Sequence, residues 1–78
     1  MNTNEEFINE ASNESQCNQI AQWLHEGKTI TQMEALDLCG CFRLASRIHY
    51  LRERGENIIR EMITLPSGKR VAQYHLAV

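Results

Sequence analysis

Apolar residues first recur at helical spacing around Ile20, Ala21, Trp23 and Leu24, one stripe on a segment that Ser12 or Ser15 can cap and Gly27 can stop. This predicts a first helix ending near Glu26. The short β-branched segment at 28–31 suits a brief strand or an extended connector. Thr31 followed by Glu34 three residues on is a capping box, in which each side chain satisfies an otherwise orphaned backbone N–H. A second helix therefore runs through Met33, Ala35, Leu36 and Leu38 and stops at Gly40, which can adopt the left-handed turn conformation.

After the short turn Cys39 to Cys41, a third amphipathic run, CFRLASRIHYLRERG, ends at Gly55. Two helices joined by a glycine-containing turn of this length form a helix-turn-helix. In the third helix, expected over residues 42–54, Leu44, Ala45, Ile48 and Leu51 fall on one stripe facing the other helices. The opposite stripe carries Arg43, Ser46, Arg47, Tyr50 and Arg54. From Asn57 the pattern turns extended, and Arg70 to Val78 alternates with Ala72, Tyr74 and Leu76 on one side. Pro66, Ser67, Gly68 and Lys69 between the two runs supply a turn, so residues 57–76 read as an antiparallel hairpin with a basic tip. The fold class is mainly α with a small hairpin, three helices followed by two strands.

Residues 1–12 are rich in Asn, Glu and Ser with Phe7 and Ile8 the large apolar residues after the first methionine, so they read as a mobile acidic tail preceding a domain at 13–78. A chain of 78 residues with 42% hydrophobic and 23% charged residues has room for one core. No apolar run approaches the roughly 20 residues that span a bilayer, so no membrane is expected. Three cysteines cannot all pair and suit a reducing, cytoplasmic compartment.

The net charge of −2 conceals a division. Residues 1–40 carry seven acids and one base; residues 41–78 carry seven bases and three acids. Six of those seven bases are arginines, suited to bidentate phosphate and guanine contacts. Such asymmetry points to one face that meets an anion.

The stretch from Ser15 to Leu76 resembles the small winged helix-turn-helix domains of bacterial and phage genomes. The most specific part is Thr31 to Ile58, within ITQMEALDLCGCFRLASRIHYLRERGENI: the TxxEAL opening, the turn into helix three, and RIHxLRxRG followed by an isoleucine. The resemblance implies a DNA-binding fold and, by analogy, transcriptional or phage-type regulation. An exposed helical face of arginines fits the major groove, where arginine grips guanine bidentately. Arg43, Ser46 and Arg47 would reach base edges, with Ser46 able to bond a base or a phosphate. Tyr50 and Arg54 would touch phosphates, and Arg52 serves equally to complement the helix dipole. Thr31 and Gln32, at the positive start of helix two, would lie near a phosphate, and Ser67, Lys69 and Arg70 at the hairpin tip would reach a neighbouring strand.

Other chemistries are poorly supported. Cys17, Cys39, Cys41, His25, His49 and His75 lack the paired spacing of a zinc site, so no metal or other cofactor is expected. With no nucleophile pair, no glycine-rich phosphate loop and little room for a cleft, the chain does not read as an enzyme. Two functions stay open: a sequence-specific double-stranded DNA binder, or an interaction module docking on a polymerase, replication or host-defence protein, with the acidic tail as a second contact or a DNA mimic. A two-fold homodimer on a palindromic site would enlarge the small footprint of one domain. Candidate interfaces are the outer face of helix one and the C-terminal strand, whose His75 and Val78 would lie at an exposed sheet edge.

Overall fold

A computed structural model describes residues 2–77, with side chains from residue 14 onward. Helix α1 is Asn2–His25, so the opening expected at Ser12 or Ser15 is not its start. Ser15 instead accepts a bond from Gln19 Nε2, one turn on, at 3.3 Å. Residues 2–12, read above as part of a mobile acidic tail, belong to α1, and the side chains of residues 1–13 lie outside the described residues. Cys17, Ile20 and Leu24, spaced three and four apart, bury the inward stripe, with Ala21 and Trp23 packed beside it. The indole N–H of Trp23 donates to the Thr29 carbonyl at 2.8 Å, holding the chain as it turns through Gly27 into β1 (Ile30–Thr31).

Helix α2 (Gln32–Cys39) forms as its caps require. Glu34 N–H donates to Thr31 Oγ1 at 3.3 Å and Thr31 N–H to Glu34 Oε1 at 2.9 Å, closing the capping box. At the other end Gly40, at φ 68° and ψ 26°, donates its N–H to the Leu36 carbonyl at 2.8 Å. Thr31→Ala removes one side of the box and is expected to lower the unfolding free energy by about 1 kcal/mol. Urea denaturation checks this, and an unchanged midpoint would show the cap to be dispensable.

Helix α3 is Leu44–Glu53, shorter at both ends than the expected 42–54. Leu44, Ile48 and Leu51 are buried, but Ala45, assigned inward from the sequence, is not. Ala45 is exposed because it sits about 100° round the helix from Leu44, outside the narrow buried seam. Met33 is exposed because it lies about 200° round α2 from the buried Ala35.

Strands β2 (Ile58–Thr64) and β3 (Arg70–Leu76) pair antiparallel from Ile58 with Leu76 to Thr64 with Arg70. Their turn is closed by Gly68 N–H on the Leu65 carbonyl at 2.8 Å and Leu65 N–H on that of Lys69 at 2.7 Å. Gly68, at φ 91°, takes the left-handed corner. The hairpin gains a third strand: β1 pairs with β3, Ile30 opposite Tyr74, in the order β1-β3-β2. β3 is therefore central, which corrects the expectation that the C-terminal strand is a sheet edge. On the free edge, β2 carries Arg60 and Glu61 at its middle, charges that disfavour adding another strand. Tyr74, with Ala72 and Leu76 beside it, turns the inner face of the sheet onto the helical core.

Candidate nucleic-acid interface

The turn between α2 and α3 is held by one side chain. Gln32 Nε2 donates to the Cys41 carbonyl at 2.6 Å, and its Oε1 accepts from Leu44 N–H at 2.9 Å. The second bond satisfies a first-turn N–H of α3 that Arg43, at the N-cap position, does not reach with its own side chain. Thr31 and Gln32, expected near a phosphate, are thus occupied within the protein as a cap and as a clamp on the turn.

Arg43 is exposed at the head of α3, and its carbonyl accepts from Ser46 N–H at 3.1 Å and Arg47 N–H at 3.3 Å. Arg47 does not share the open face. It lies about 60° from Leu44, beside the buried seam, and its Nε donates to Gln16 Oε1 of α1 at 3.3 Å. Arg52 is also engaged internally, with Nε and Nη2 donating to the Ile58 carbonyl at 3.1 and 2.9 Å and tying α3 to the start of the hairpin. Arg54 leans over the Tyr50 ring, 5.6 Å from its centroid.

Ser46, His49, Tyr50 and Glu53 occupy the outward face of α3, all exposed. His49 was not among the residues selected from the sequence, although its spacing of four from Glu53 marks a helical pair. The two are 3.2 Å apart. The other acids of the basic half pair similarly: Glu56 with His25 at 3.0 Å, and Glu61 with His75 at 3.6 Å. Among the described residues, Arg43, Arg60, Lys69 and Arg70 make neither an ion pair nor a side-chain hydrogen bond. Phe42 beside Arg43 is 80% exposed, and within the amphipathic run read from the sequence it was assigned to neither stripe.

The three cysteines are free thiols. Burial raises the Cys17 and Cys39 thiols above their ordinary value and so favours the protonated, less nucleophilic form. Among the described residues no group of three His, Cys, Asp or Glu side chains could hold a metal ion. Nor is any helix among them long and apolar enough to cross a membrane.

A helix-turn-helix whose second member presents an arginine at its head, backed by a hairpin with a basic tip, defines a winged helix-turn-helix, a fold associated in general with binding DNA. Residues 15–78 match the family described as a winged helix-turn-helix domain, and the chain belongs to that family. No curated protein and no solved structure matches it.

Proposed function

We propose that this protein is a sequence-specific double-stranded DNA-binding regulator of the small transcriptional or phage type, acting with α3 in the major groove and the β2–β3 hairpin as a wing along the neighbouring phosphates. The observation that carries this reading is the distribution of unengaged cations. Arg43 at the head of α3 and Lys69 and Arg70 at the hairpin tip are exposed and without internal partners, whereas Lys28, Arg47 and Arg52 bond within the protein. The acids that would oppose a phosphate are each set against a histidine. In this arrangement Arg43 and Ser46 meet base edges, Tyr50 and Arg54 lie further along the groove, and Lys69 and Arg70 hold the backbone.

Fluorescence-anisotropy titration against a random-sequence duplex of about 20 base pairs, repeated over a range of salt, tests the proposal. Wild-type affinity should fall steeply as salt rises. In a Lys69→Ala/Arg70→Ala variant the log–log slope should become shallower by about 2, because each phosphate contact contributes about 0.9. Absence of binding at low salt would remove DNA as the ligand, and binding that does not respond to salt would remove the phosphate contacts assigned to the hairpin tip.

A further inference from the structure

We propose that Phe42 and Arg43 read DNA as a unit, Phe42 packing against the C5-methyl of a thymine adjacent to the guanine that Arg43 engages. The inference rests on the DNA-binding reading above and adds to it a specificity residue and the base group that it reads.

Phe42 and Arg43 protrude between two fixed points. Cys41 before them and Leu44 after them are buried to 0% and 1% exposure, while Phe42 is 80% exposed. The backbone groups on either side of the pair, the Cys41 carbonyl and the Leu44 N–H, are both bonded to the single carboxamide of Gln32. On the helical side the Arg43 carbonyl is held by two further N–H groups, those of Ser46 and Arg47. The pair is therefore carried on a short bridge anchored at both ends rather than on a loose loop.

The chemistry of the pair is also specific. A large aromatic ring kept in water at the head of the helix, where the interior of the protein offers it no place, is complementary to an apolar surface. In the major groove, the apolar group that base edges present is the thymine methyl, and phenylalanine is among the side chains that contact it. The guanidinium of the next residue seeks guanine O6 and N7. Two consecutive side chains of these types address two neighbouring base pairs, one through a methyl and one through paired acceptors.

The test uses the duplex that the wild-type protein enriches from a random library, together with duplexes in which deoxyuridine replaces one thymine at a time. At one position next to a guanine, loss of the methyl should weaken wild-type binding about fourfold, the worth of one buried methylene-sized group. Phe42→Ala should bind the thymine duplex more weakly by at least that factor and bind the thymine and uridine forms equally. Phe42→Leu, which keeps an apolar surface, should still distinguish them. Thermal melts of both variants should match the wild type, because the ring makes little contact with the fold.

Wild-type binding that is indifferent to uridine at every position would overturn the inference, as would a Phe42→Ala variant that binds and discriminates as the wild type does. Either result leaves DNA binding itself standing. Failure to enrich or bind any duplex would overturn both, and would point to a protein surface as the match for the ring.

Discussion

Arg43→Ala is expected to weaken binding to the preferred duplex by roughly 5- to 150-fold, the range of one lost bidentate contact, and to relax the preference at a single base pair. The melting temperature should stay at the wild-type value. Arg43 precedes the first helical residue, its side chain makes no cap bond, and its backbone, at φ −130° and ψ 67°, is open to alanine. Loss of binding in this variant would therefore report the interface and not the fold. Arg47→Ala would be less informative, since it also removes the bond to Gln16 that ties α3 to α1. Anisotropy with the enriched duplex and with its guanine variants measures the effect. Undiminished affinity would take α3 out of the groove.

The second large effect is expected at Gln32. Gln32→Ala removes two bonds at once and leaves the Cys41 carbonyl and the Leu44 N–H without their protein partner. The expected loss of unfolding free energy is about 2–3 kcal/mol, a fall in melting temperature of roughly 10–20 °C for a domain of this size. Gln32→Glu keeps the acceptor for Leu44 but sets a carboxylate oxygen against the Cys41 carbonyl, so it too should be destabilised. Specific DNA affinity should fall in both variants, because the head of α3 loses its anchor. Were Gln32 instead a phosphate contact with no structural part, affinity would fall while calorimetry showed an unchanged transition.

Several residues that seemed equivalent along the chain acquire different duties in space. Arg43, Arg47, Arg52 and Arg54 form one arginine-rich series in the sequence. In the fold, Arg43 is free, Arg47 bonds α1, Arg52 holds the Ile58 carbonyl and Arg54 lies over Tyr50. Helical phase already separates them: Arg47 flanks the seam of Leu44, Ile48 and Leu51, whereas Ser46, His49 and Glu53 lie opposite it. A stripe drawn from spacings alone joined residues on both sides of that boundary. Glu53, an acid on that outward face, sits beside His49.

Helices two and three, the hairpin and their order are legible in the chain, because the signals that make them act over a few residues. The Thr31 and Glu34 box, the left-handed Gly40, the helical stripe of Leu44, Ile48 and Leu51, and the Pro66–Gly68 turn each need only near neighbours, and each stands where its spacing predicts. Tertiary structure alone decided which polar groups remain available to a ligand. The Gln32 clamp joins residues 9 and 12 positions apart, and the Arg47–Gln16 and His25–Glu56 contacts each span 31. The central place of β3 likewise depends on Ile30 meeting Tyr74 across the whole helix-turn-helix. No local pattern encodes these partners. They exist only once burial of the shared core has brought distant segments within hydrogen-bonding distance, and by that closure the cations at the head of α3 and the tip of the hairpin are left open.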